Sequence, residues 1–347
     1  MFMPDQAIPA TARHAEVGGA ARMQDTSPRA TALRVRSGVA HRFRDAIVRL
    51  LLGCITLVSL PAPAHAYPGE VHQQLSFLAA RVFNRCVENT AIPKLSTLNV
   101  RYAARSASEE ASAGFVSRTL RWQYYDRRQS QDPGAWLGVV ETTMQARFLD
   151  LERVLPVGRD ARVVDQVGDL EQRYTDLGRL MSHIQDVTVP AVVVPIYYER
   201  FWRLSVSDRF TDYPFTLDDR DRSLDELCAP LLATPEHWSW SNLLNVTAEH
   251  TLRAIRGGMP DMDATWQVFW REPDEGGAFG EYGSVGNRFG DEVEFRCGRG
   301  AARTRCHLLQ NDPVYREFAE ARHRDALLAT MRAYLLLQRP PPRRSTK

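Results

Sequence analysis

Apolar residues recur along most of this chain at helical spacing. In the central stretch Leu170, Tyr174, Leu177, Met181 and Ile184 follow one another at steps of three and four, which is the spacing of one buried helix face. Thr188 and Pro190 end that helix, because proline lacks an amide hydrogen and disfavours a helical residue before it. An earlier helix is predicted through Leu75, Leu78, Ala79 and Val82. Val139, Val140, Met144, Phe148 and Leu151 predict a second amphipathic helix from Trp136 to Leu155, stopped before Pro156 and Gly158. Further on, Leu224 to Ala233 and Ser241 to Ile255 read as helices, the second closed by Gly257 and Gly258. Asp312-Pro313 opens a last helix through Phe318, Ala321, Leu327, Met331 and Leu335, ended by the prolines at 340–342. Only residues 272–300 change character. The glycines at 276, 277, 280, 283 and 286 match no phosphate loop, since no Lys-Ser/Thr follows. A flexible lid or surface insertion is expected there, with short strands around Val293–Phe295. The expected class is all-α, with this small Gly-rich, disulfide-containing insertion near the C-terminus.

The start of the chain is patterned differently. Residues 1–40 are rich in Ala, Arg, Ser and Thr without an apolar period. His41 to Arg49 is basic, Leu50 to Leu60 is largely apolar, and P-A-P-A-H-A ends at Ala66. This is the layout of a signal peptide cleaved after Ala66, and its apolar run is too short to span a bilayer. The expected organisation is a leader over 1–66, one domain over 67–340 and a tail over 341–347, exported to the periplasm or secreted. At 347 residues, 44% hydrophobic and 25% charged, the chain has room for such a core. Outside the leader four cysteines remain. Cys297 and Cys306 flank a short loop and are expected to pair, leaving Cys86 for Cys228, as an oxidising compartment allows. No C-x-x-C spacing supports a cysteine zinc site. The leader carries eight Arg and four acidic residues, so the formal charge of +2 for the whole chain becomes about −2 without it. Bulk charge of that sign does not hold nucleic acid.

The chemistry concentrates on the central helix. Ser182 and Asp186 are four apart and share a side next to the apolar face. A carboxylate on the last turn of a buried helix needs a positive partner, and an arginine or a metal ion would serve.

The segment L-G-R-L-M-S-H-I-Q-D-V-T-V-P-A-V, Leu177 to Val192, resembles the central helix of the zinc-dependent phospholipase C and S1/P1 nuclease family, whose pattern there is L-G-x-x-x-H-x-x-Q-D-x-x-x-P-x-H. Leu177, Gly178, Gln185, Asp186 and Pro190 match. Ser182 and Val192 stand where histidines are expected. Tyr67, five residues before His72, is similar to the family's mature N-terminus, whose first residue binds zinc through its amine and carbonyl oxygen. Glu110 matches an acidic ligand. The segment Trp122 to Asp126, W-Q-Y-Y-D, resembles an N-H-F-Y-D segment, with Gln123 in place of the histidine. Asp208 matches a last acidic ligand.

The resemblance implies an exported phosphoric-ester hydrolase in which metal-activated water attacks a phosphodiester of a phospholipid or nucleic acid. It implies a helical domain of that family's type and up to three zinc ions, of which one is expected here. Tyr67, His72 and Asp186 would form the surviving site, with Glu110 and Asp208 completing shells and Asp186 and Glu110 acting in catalysis. His183 could replace the missing histidine if the helix were slightly rotated. Trp122, Gln123 and Tyr125 would line the substrate site. The alternative is an inactive relative that keeps its cleft to bind lipid or another ligand. Neither reading supplies a stable protein partner, and no transmembrane segment is expected beyond the leader.

Overall fold

The computed structural model describes residues 67–112, 123–128, 134–136, 139–155, 167–196, 208–218, 220–274, 277, 279–298 and 304–339. The predicted leader, the tail from 341 and Trp122 lie outside these residues.

Helix α1 (Gly69–Cys86) follows Pro68 and buries Leu75, Leu78, Ala79, Val82 and Phe83. Helix α2 (Thr97–Ala111) starts at Ser96, whose hydroxyl accepts the Asn99 amide at 3.2 Å, a standard N-cap. It buries Val100, Ala103, Ala104, Ser106 and Ala107. These small residues let it lie close against the central helix, α4 (Val167–Asp186). Gly178 marks the contact, since a Cβ there would sit 2.2 Å from the Ala103 carbonyl oxygen. Beside it the Ser106 hydroxyl donates to the Thr175 carbonyl at 2.7 Å. The predicted face of α4 is buried from Tyr174 on: Tyr174, Leu177, Met181 and Ile184 are inside, with Leu180 added, while Leu170 is half-buried. After α4 comes one short turn of helix, α5 (Pro190–Val193), with proline at its start.

The expected all-α class is wrong, because among the described residues three small sheets accompany the helices. Where one helix was expected from Trp136, the chain forms strands β2 (Gly134–Trp136) and β3 (Val139–Thr143), and helix α3 (Met144–Val154) begins only afterwards. β3 pairs antiparallel with β2 and parallel with β1 (Gln123–Tyr124). The reason lies in V-V-E-T-T. Four of its five residues are β-branched and favour extended backbone, and Thr143 caps α3 by accepting the Ala146 amide at 3.1 Å.

Residues 222–227 form a 3-10 turn leading into α6 (Cys228–Leu232), followed by α7 (Trp240–Arg256). The Gly-rich segment contributes one strand to each of two antiparallel pairs: β5 (Glu281–Tyr282) pairs with β4 (Trp270–Arg271) just before it, and β6 (Val293–Cys297) with β7 (Thr304–Leu308) just after it. It is not a lid. Phe289 is buried against Phe210, Trp270 and Tyr315. A Cβ at Gly283 would lie 2.2 Å from the Gln267 carbonyl, and one at Gly280 would lie 2.3 Å from Val194. At Gly280 and Gly283 the backbone runs against packed neighbours, whereas Gly286, with φ +69° and nothing within 4 Å of a Cβ, serves a turn.

Helix α8 (Pro313–Gln338), capped by Asp312, closes the domain and is buried along most of its length. Both expected disulfides are formed, Cys86–Cys228 and Cys297–Cys306. Among the described residues, no helix is long and apolar enough to cross a membrane.

Candidate functional site

α1, α4 and α8 meet around a polar core, and its hydrogen bonds can be assigned proton by proton. The Ser76 hydroxyl donates to the His72 carbonyl at 2.8 Å, and the Thr330 hydroxyl donates to the Ala326 carbonyl at 2.7 Å. Each hydroxyl has one proton and has used it, so each can only accept from a third group. The Gln185 amide nitrogen supplies both, at 3.2 Å to Ser76 and 3.0 Å to Thr330. That fixes the amide orientation, with Oε1 facing His72 Nδ1 at 2.5 Å. An amide oxygen only accepts, so Nδ1 carries a proton and, in the neutral ring, Nε2 is left with its lone pair.

Nε2 points at Asp186. It lies 3.1 Å from Oδ1, yet neither atom has a partner with hydrogen-bond geometry. A lone pair facing a carboxylate at that distance is repulsive unless a proton or another cation lies in the gap. His72 is fully enclosed, whereas the Asp186 side chain keeps 17% of its surface exposed. The site is therefore reached from the Asp186 side.

Tyr67 closes another side. Its ring is buried, stands edge-on to the His72 ring at 5.9 Å, and its hydroxyl lies 3.2 Å from the Thr188 hydroxyl. Thr188 spends its proton on the Gln185 carbonyl at 2.7 Å, so the Tyr67 phenol is the donor. Burial pushes that phenol well above its ordinary range.

His183 lies on the next face of α4, buried against Phe148. Both of its ring nitrogens lack a partner. Burial lowers its pKa and keeps it neutral, against the pull of Asp186 and Glu110. Glu110 sits at the end of α2 with its carboxylate 3.9 Å from His183 Nε2 and 3.7 Å from Arg147. Of the predicted ligands, His72 and Asp186 are thus brought into contact, and His183 and Glu110 form a looser pair beside them.

The remaining predicted residues are placed as follows. Asp208 is buried and accepts from the Trp270 indole at 2.9 Å, the Tyr282 hydroxyl at 3.0 Å and the Phe210 amide at 2.9 Å. It anchors the segment after 207 to β4 and β5. Tyr125 is buried with its hydroxyl 3.3 Å from Asn245 Oδ1, and burial pushes it up to about 12. Gln123 is in β1. Ser182 and Val192, where the resemblance expects histidines, are both inside the core.

Sequence reasoning matched Gln185 to a motif but gave it no task, and it missed Ser76 and Thr330 altogether. A threonine or serine in an apolar helix carries no pattern of its own, and only the three-helix crossing reveals what it accepts.

Zinc fits this site in part. His72 Nε2 and Asp186 Oδ1 are a nitrogen and an oxygen donor, buried, adjacent and unpartnered, and the Gln185 bond to Nδ1 is the outer contact that metal-binding histidines need. Among the described residues, no group of three His, Cys, Asp or Glu side chains is placed to hold a metal ion. A site of two side chains and the backbone of Tyr67 would not require one. The chain matches no protein-family model, curated protein or solved structure.

Proposed function

We propose that the protein is a metal-dependent phosphoric-ester hydrolase, related to the zinc-dependent phospholipase C and S1/P1 nuclease family, with its metal centre reduced to the site of Tyr67, His72 and Asp186. The observation that carries this reading is the His72–Asp186 pair, two unpartnered buried donors 3.1 Å apart at the solvent-reached end of a polar core. The motif around Leu177 to Pro190 supports it, as does Tyr67, packed on His72 five residues upstream.

A zinc ion held there would supply Lewis acidity toward a phosphoryl oxygen and a source of nucleophile near neutral pH. The chain's own residues have separate tasks. Gln185 holds the His72 proton on Nδ1 and keeps Nε2 facing outward. Asp186, on the exposed side, is the group in position to take a proton from an incoming nucleophile. Beside it, the neutral His183 ring has an N–H to offer a phosphoryl oxygen, and the Glu110 carboxylate lies 3.9 Å from that ring. The substrate class is a phosphodiester.

The test is hydrolysis of bis(p-nitrophenyl) phosphate by protein that begins at Tyr67, with zinc and then with a chelator. Hydrolysis that needs zinc and falls by about a hundredfold or more in His72→Ala and Asp186→Ala is expected. Hydrolysis indifferent to both the chelator and His72→Ala would refute the reading. The absence of both metal binding and turnover would equally refute it.

A further inference from the structure

A groove of about 550 Å³ lies along the outer face of α7, and its walls are unusually rich in one side chain. Arg127 and Arg128 face it from the turn after β1, and Arg253 and Arg256 face it from the last turns of α7, with Tyr125 and Asn245 between them. The acidic groups nearby are already engaged. Glu272 is paired with Arg127 and with Arg256, Glu249 with Arg256 at 3.2 Å, and Asp126 with Arg128 at 3.2 Å. Four guanidinium groups are thus opposed by three carboxylates. Arg253 is exposed and makes no ion pair with a described residue. Arg127 is mostly buried, with its Nε–H unpartnered. The carboxylates tie down the outer arginines, which lowers the entropy lost when a ligand is held.

The geometry points to this groove as a binding site for a small phosphomonoester. Guanidinium forks present paired N–H donors that match phosphate oxygens, and a group with three terminal oxygens offers them one more acceptor atom than a carboxylate does. The volume falls in the range of small-molecule sites. Glu249 and Asn245 add an acceptor and an amide for hydroxyl groups on the ester's organic part. The site is separate from His72 and Asp186 and does not depend on the metal reading.

The test is isothermal titration of the chain from Tyr67 with inorganic phosphate, glycerol phosphate and acetate, at about 20 mM salt so that screening is weak. Binding of both phosphates, with glycerol phosphate at least equal to inorganic phosphate and acetate much weaker, is expected. Arg253→Gln, which breaks no ion pair, should weaken phosphate binding about tenfold, and Arg253→Lys should recover part of that loss. His72→Ala should leave phosphate binding unchanged. Absence of phosphate binding at about 10 mM ligand, or equal affinity in Arg253→Gln, would overturn the proposal. Loss of binding in His72→Ala would also overturn it, by placing the phosphate at the other site. Glycerol phosphate weaker than the free anion would restrict the site to inorganic phosphate and contradict the ester assignment.

Discussion

Replacing Gln185 by methionine removes the centre of the polar core while nearly keeping its volume. Gln185 is fully buried and makes three side-chain hydrogen bonds, one from His72 Nδ1 and two to hydroxyls. The hydroxyls of Ser76 and Thr330 keep their bonds to carbonyls and lose only what they accept, at a net cost of roughly 1 kcal/mol each. His72 fares worse, because its Nδ1–H is left buried without an acceptor, which costs about 1–3 kcal/mol. The extra apolar surface of methionine returns about 1 kcal/mol. The sum is a loss of roughly 2–4 kcal/mol, or about 5–15 °C in Tm for a domain of this size. Urea unfolding with calorimetry measures the loss. Nitrogen-15 shifts of the His72 ring should show the Nδ1–H tautomer in the parent protein and a changed proton distribution in Gln185→Met. A loss below about 0.5 kcal/mol, within the range of an ordinary surface substitution, would refute the proton assignment, as would an unchanged ring spectrum.

Gly178→Ala should destabilise by about 3 kcal/mol in urea unfolding, because the new methyl meets backbone at Ala103 that cannot move without separating α2 from α4. Burial holds the His323 imidazole down at about 4, between the rings of Tyr67 and Phe215. The unfolded value is near 6.5, so the associated stability is complete above that pH and falls as the pH drops toward 4. The loss is on the order of 3 kcal/mol, and unfolding of His323→Phe measured between pH 7 and 4 should show a flatter profile. Removing Cys86–Cys228, which closes 142 residues, should cost up to about 5 kcal/mol by loop entropy, against about 2.5 kcal/mol for Cys297–Cys306, which closes nine. Calorimetry of the two paired Cys→Ser variants checks the order.

Hydrophobic spacing located α4 correctly because its buried face is built of large residues, from Tyr174 to Ile184. It passed over α2 because, apart from Val100, that helix buries alanines and a serine, which carry little hydropathy but allow the close approach at Gly178. Between 136 and 143 a helical spacing of apolar residues competed with β-branched backbone preference, and the backbone preference prevailed. The glycines from 280 to 283 looked like a mobile insertion, yet their neighbours in space, Val194 and Gln267, are far off in sequence and give no local signal. The site was legible at His72 and Asp186 through their motif positions. Asp208 shows the limit of such matching, since its oxygens are taken by Trp270 and Tyr282, residues whose proximity only the fold creates.

The central claim is that the gap between His72 Nε2 and Asp186 Oδ1 is made for a cation. Elemental analysis of protein with Tyr67 as its true N-terminus, after exposure to micromolar zinc and removal of the excess, tests it most directly. About one zinc per chain, lost in both His72→Ala and Asp186→Ala, is the predicted result. A chain that retains no metal, or retains it equally in those variants, would contradict the account and leave the pair as a contact within the polar core.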